Sequence, residues 1–141
     1  MYDEILFPTD GSDASAVAFD HAVSHAHAYD ARIHALYVVD DSYAGVGAGG
    51  TKNIDSLTQA GERVLEEFTD RIEDEDIEIE TAVVQGTPYD EIVKYSDEGI
   101  DMIVMGTRGR SGIDKYLLGS VTEKVVRTAE PPVFTVRTPE T

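Results

Sequence analysis

The sequence predicts an α/β fold, a single open parallel sheet of five strands with helices on both faces, forming one domain over residues 1–141. Three observations predict it. Strand-like apolar runs alternate strictly with segments of helical spacing, the pattern of successive βα units. The run DMIVMG (101–106) is apolar throughout, as in a strand covered on both faces. No repeat, linker or shift of composition divides the 141 residues, a length that suits one domain with a substantial core.

EILFPT (4–9) is the first strand, closed by Pro8 and then by Asp10-Gly11. Ser12 caps a helix running to about Tyr29, with Val17, Ala18, Ala22 and Ala26 inward. ARIHALYVVD is the second strand and ends near Asp40. After a polar, glycine-rich stretch, Ile54, Leu57, Gly61, Val64, Leu65, Phe68 and Ile72 keep helical spacing. IEIETAVVQG is the third strand. Thr87 then caps a helix with Pro88 in its first position and Asp90-Glu91 at its positive end, and Gly99 stops it. DMIVMG is the fourth strand. A helix from about Ser120 to Thr128 and the strand PVFTV (132–136) complete the chain.

Composition excludes several classes of function. Asp and Glu total 28 against 11 Lys and Arg, a net charge of -17, and such a field repels the phosphates of nucleic acid. No apolar run approaches the ~18 residues that span a bilayer. No basic-then-apolar leader opens the chain, so cytoplasm is the expected compartment. Without cysteine there is neither a disulfide framework nor a thiolate metal site. The acids are spread along the helical stretches rather than gathered in a tail. That spread suits a surface kept soluble in concentrated salt and points to a salt-loving host; an ordinary acidic cytosolic protein is the alternative.

Against this background MGTRGRSGIDKYLLGSV (105–121) stands out. Arg108, Arg110 and Lys115 are opposed only by Asp114, and Gly106, Gly109, Gly112 and Gly119 run through them. The stretch begins at the carboxyl end of a central strand, where ligands bind in open α/β sheets. It finishes at Ser120-Val121-Thr122-Glu123, which fits a capping box at a helix start. A helix amino terminus offers unpaired N–H groups and partial positive charge, and glycines let backbone amides approach phosphate oxygens. The combination reads as a phosphate cradle. The alternative is a loop whose glycines only permit turns and whose cations offset nearby acids.

Other signals are weaker. Gly45-x-Gly47-x-x-Gly50 matches a dinucleotide fingerprint as a string, but it trails its strand and opens no immediate helix; Thr51 stands where a Walker lysine would be. It reads as a crossover loop. His21 and His25, four apart on one helix, lack an evident third metal ligand and read as a partly buried or solvated face. Tyr89, Tyr95 and Tyr116 read as ordinary amphipathic residues. No Ser-His-Asp arrangement and no carboxylate pair stands out for catalysis.

The spacing Gly106-x2-Gly109-x9-Gly119-Ser120 is similar to the nucleotide-binding signature of the universal stress protein family, in its ATP-binding branch. ILFPTDGS (5–12), YVVD (37–40), GTPYDEIVKYS (86–96), DMIVMG and LLGSVTEKVVRTAEPPVFTV stand in that family's order over essentially the whole chain. One departure is Thr107-Arg108, where many members read Ser-His.

The resemblance implies a flavodoxin-like sheet of order 3-2-1-4-5, with Pro8, Thr9 and Asp10 facing Gly106 across the switch between the first and fourth strands. It implies a base held by backbone groups at Val38, with Thr9 and Asp10 near base, ribose and metal. Gly106, Arg108 and Gly109 would line the ribose and inner phosphates, and Gly119, Ser120, Val121 and Thr122 would hold the outer phosphates; Met105 also belongs to the implied nucleotide site. The cofactors implied are ATP, or ADP or AMP, and Mg2+ with Asp10 as ligand. Asp10 reads equally well as an Asx-turn residue leading into Ser12. If the Ser120 hydroxyl caps its own helix, the phosphate must rely on backbone N–H groups. The implied assembly is a homodimer paired through Pro132 to Arg137. The implied role is a nucleotide-responsive binding module of the stress response; a slow ATPase or nucleotidyl-transfer enzyme using the same site is the alternative.

Overall fold

The computed structural model describes residues 1–41, 50–107 and 119–137, with residues 50–53 described by backbone alone. Five strands, β1 (Glu4–Thr9), β2 (Arg32–Asp40), β3 (Ile79–Gly86), β4 (Met102–Gly106) and β5 (Val133–Val136), form one sheet of order β3-β2-β1-β4-β5. Every pairing is parallel. The sequence expectation of five parallel strands in the order 3-2-1-4-5 is met.

Helices α1 (Asp13–Tyr29), α2 (Gly50–Arg71), α3 (Pro88–Ser96) and α4 (Ser120–Thr128) cover the sheet. Side chains alternate across a strand, so Ile5 and Phe7 join α1 and α2 in one core while Leu6 joins α3 and α4 in the other. On the first face Ala18, Ala22 and Ala26 bring α1 close to the strands. The space left by those small residues is filled by Phe7, Phe19 and Phe68, whose ring centroids lie 4.6 to 5.2 Å apart. On the second face Leu36, Ile92, Ile103 and Val125 are buried together.

Local chemistry explains most of the boundaries. The Ser12 hydroxyl accepts the Ser15 N–H at 3.2 Å, so Ser12 caps α1 as expected. α1 ends on Asp30 in the left-handed conformation, φ 53°. Thr87 does occupy the N-cap of α3 with Pro88 following, but its hydroxyl makes no capping bond. α3 stops at Ser96, ahead of Gly99, whose φ of +86° turns the chain into β4. β3 starts at Ile79, two residues later than expected, although Glu78 already accepts the Ile33 N–H.

The expected capping box at residues 120–123 is corrected. Gly119 is the N-cap of α4, and Ser120 is its first helical residue. The Gly119 N–H donates to the Thr107 carbonyl at 2.6 Å, which fixes the helix start one residue earlier. The Glu123 carboxylate, freed from capping, pairs with Arg127 one turn on.

Of the remaining side chains singled out above, His25 stacks on Tyr29 and meets Phe134 edge-on at 4.6 Å, with His21 5.9 Å from the same ring. Burial first, and the neighbouring His21 second, push the His25 imidazole below its ordinary pKa. The pair is an aromatic face, and no group of three or more His, Cys, Asp or Glu able to hold a metal forms among the described residues. Tyr95 donates to or accepts from His34 Nδ1 at 2.8 Å, and Tyr89 lies under the Lys124 ammonium. Tyr116, Gly45 and Gly47 lie outside the described residues; Gly50 opens α2, which corrects the expectation that the glycine string opens no immediate helix.

Candidate nucleotide site

The site begins with a proline. β1 pairs with β2 from Glu4 through Thr9, but with β4 only at Ile5 and Leu6. Asp3 O accepts from Arg32 on β2, whereas Glu4 O accepts from Asp101 at the foot of β4. Even-numbered β1 residues therefore turn their backbone groups to β4, and Pro8 is one of them. Its missing N–H would have faced β4. A proline in a central strand ordinarily breaks a ladder; here it lies where the ladder has already ended, and β1 and β4 stay parted above Leu6. The parted strand ends open a crevice at the topological switch point, where α/β sheets take ligands.

The crevice holds a cavity of about 360 Å3, within the size range of small-molecule sites. It brings together Pro8, Thr9, Asp10, Val38, Met105, Gly106, Gly119, Ser120, Val121 and Thr122, ten of the residues singled out from the sequence. Arg108 and Gly109, with the rest of the basic stretch 108–118, lie outside the described residues.

The two ends of the cavity differ in chemistry. At the β2 end, Val38, Val39 and Leu57 supply apolar walls. Arg32 N–H donates toward β1 and Ile33 N–H toward β3, so even-numbered β2 residues turn their backbone to β1. Val38, one residue past the last β1 pair at Tyr37, thus turns its carbonyl to the side where β1 has ended. At the α4 end, Gly119 provides no capping side chain, and the first helical bond inside α4 runs from Glu123 N–H to Gly119 O. The N–H groups of Ser120, Val121 and Thr122 have no acceptor among the described residues, and all three residues line the cavity. Such uncapped helix starts suit anions. Thr122 holds this end in place by donating its hydroxyl to the Gly106 carbonyl at 2.9 Å.

Between the ends, Asp10 Oδ1 accepts the Ser12 N–H at 2.9 Å. This is the Asx turn that the sequence allowed for. Thr9 Oγ1 accepts the Gly11 N–H and shares a hydrogen bond with the Ser15 hydroxyl. Sequence reasoning missed Ser15, Leu36, Tyr37, Val39, Asp40, Leu57, Pro88 and Ile92 as cavity residues. Pro88 and Ile92 were legible only as helix and core residues. Ser15, one turn after its own N-cap, gave a usable signal: a polar residue at an inward position between Ala14 and Ala18.

Fold and site together define an open parallel α/β protein with a crevice at its switch point, where an anion-compatible helix start stands opposite an apolar slot. The profile described as the universal stress protein family matches residues 1–137, and the chain belongs to that family. Universal stress protein MJ0531 of Methanocaldococcus jannaschii is 39% identical, over 99% of this chain and 85% of that protein. The solved structure of protein MJ0577, from the same organism, superposes with a TM-score of 0.89 at 31% identity, covering 100% of this chain and 99% of that one. A universal stress protein solved in complex with cAMP superposes with a TM-score of 0.76 at 32% identity, covering 98% and 99%.

Proposed function

We propose that this chain binds ATP in the crevice between β1 and β4 and serves as a nucleotide-responsive binding module of the stress response. The observation that carries the proposal is the α4 start: a glycine cap and three N–H groups without an acceptor among the described residues, on residues that line the cavity opposite an apolar slot. The relative in complex with cAMP supports an adenine nucleotide. The base lies against Val38, the ribose over Thr9 and Asp10, the inner phosphates by Met105, Gly106, Arg108 and Gly109, and the outer phosphates at Gly119 to Thr122.

Asp10, at the end of β1 in its Asx turn, is the residue that would hold Mg2+, which takes one or two carboxylates together with phosphate oxygens. It fits a cation completed by the nucleotide rather than a site built by protein alone. The outward edge of β5 pairs two chains into a homodimer. The working compartment is a cytoplasm rich in salt, which suits the exposed carboxylates.

The test is a thermal melt with and without magnesium-ATP. A ligand that binds only the folded state stabilises it by about 2.7 kcal/mol at 100 times its Kd. Gly109→Val, whose branched side chain blocks close approach of the backbone to phosphate, is expected to lose most of that shift. Equal shifts for both proteins overturn the phosphate assignment. Assaying ADP, AMP and pyrophosphate in the same samples separates a binding module from a slow hydrolase or transferase.

A further inference from the structure

Thr9 and Ser15 are each more than nine-tenths buried, and both line the crevice. Their two hydroxyl groups carry two protons. One proton is used in the hydrogen bond they share. The Gly11 N–H, donating to Thr9 Oγ1 at 3.1 Å, takes up a further Thr9 direction. Thr9 Oγ1 thus has two partners and Ser15 Oγ one. Either hydroxyl can be the donor, and whichever donates, the O–H of the other finds no acceptor among the described residues. A buried donor without an acceptor is costly and calls for a partner from outside the protein. The Ser15 backbone is held in place, its N–H by Ser12 Oγ, and its neighbours Ala14 and Ala18 are buried.

The position of the pair says what that partner is. β1 lies between β2 and β4 in the sheet. The pair at the β1 end therefore lies midway between the apolar slot at β2 and the helix start at α4. In a nucleotide spanning those ends, the middle is the sugar. We propose that the Thr9–Ser15 pair reads the ribose: the pair donates its spare O–H to a sugar hydroxyl oxygen, so that the crevice selects ribonucleotides over deoxyribonucleotides. This rests on the nucleotide reading above and adds to it the sugar class and a specificity-determining pair, Thr9 and Ser15.

The experiment is calorimetric titration of the wild-type protein, Ser15→Ala and the double variant Thr9→Val, Ser15→Ala with ATP, 2′-deoxy-ATP and 3′-deoxy-ATP. Folding of each variant is checked by circular dichroism. Loss of one acceptor for a buried donor is expected to weaken binding about tenfold. Wild type should therefore bind at least one deoxynucleotide about tenfold more weakly than ATP. The ratio should shrink in Ser15→Ala and approach one in the double variant, where no hydroxyl is left to re-aim. If wild type binds ATP and both deoxynucleotides equally, the ribose reading is overturned and the nucleotide reading stands. If the double variant folds and keeps the wild-type ratio, another group reads the sugar. If the double variant does not fold, the wild-type ratio and Ser15→Ala decide. If wild type binds no adenine nucleotide, both readings fall.

Discussion

Gly61, in the middle of α2, faces the ring of Tyr37 so closely that a β-carbon there would lie 2.5 Å from Tyr37 Cδ1. Helix propensity alone favours Gly61→Ala by about 1 kcal/mol. Overpacking a filled core costs about 1–3 kcal/mol, and the contact is with the buried base of an aromatic ring rather than the end of a flexible chain. The steric effect wins. Gly61→Ala is expected to destabilise the fold by about 1–2 kcal/mol, read as a lower urea midpoint at unchanged slope. Tyr37 also lines the crevice, so the variant should bind nucleotide more weakly; an increase in urea midpoint would show that the ring gives way freely.

Among the elements, β5 has one strand neighbour, β4. Ile103 N–H donates to Pro132 O and Thr107 N–H to Val136 O. The even-numbered residues of β5 therefore turn their backbone to β4, and Val133 and Thr135 turn theirs outward. Phe134, 40% exposed, adds an apolar ring beside that edge. An edge of this kind is a template for pairing, and a second copy of the chain is the proposed occupant. Thr135→Pro removes an outward donor while leaving the β4 ladder intact. It is expected to shift the protein toward monomer in light scattering with an unchanged circular dichroism spectrum. A dimer of undiminished strength would place the interface elsewhere. Elements of this kind were legible in the sequence because DMIVMG is a short run apolar throughout, as in a strand covered on both faces, while Ile54 to Ile72 keep the 3.6-residue spacing of a one-faced helix. The site was legible as far as strand ends and glycines mark it. The cap of α4 was not, because the choice between Gly119 and Ser120 is made by a long-range bond from Gly119 to Thr107, which no local pattern encodes. Ser15 was legible only as a polar residue at an inward position; its pairing with Thr9, six residues away across a turn, was not.

At the scale of the whole molecule the dominant quantity is the charge of -17. Asp70, Glu73, Asp74, Glu75, Asp76 and Glu78 are all exposed within nine positions around the end of α2. Few cations stand among them; Arg32 reaches Glu78 and Glu80, and the carboxylates around it hold its guanidinium above its ordinary pKa. Repulsion among such groups acts over about 10 Å at 0.1 M salt and about 3 Å at 1 M. The fold is therefore expected to gain stability as potassium chloride is raised from 0.1 to 1 M, with a rising urea midpoint. A midpoint independent of salt would mean that local pairing already cancels the repulsion.

The crevice draws one wall from residues 8–10 and another from residues 119–122, the two ends of the chain. During synthesis, β1, β2 and β3 can associate once the first 86 residues have left the ribosome. That half-sheet already owns Val38 and the slot beside it, yet it lacks the helix start that receives charge. On the proposed function, nucleotide therefore cannot act as a template for the early steps of folding. The first half-sheet must assemble by its own packing, and only a chain extended as far as α4 can be distinguished by the ligand. On that reading, occupancy of the crevice reports chains that have reached α4 and ignores shorter ones.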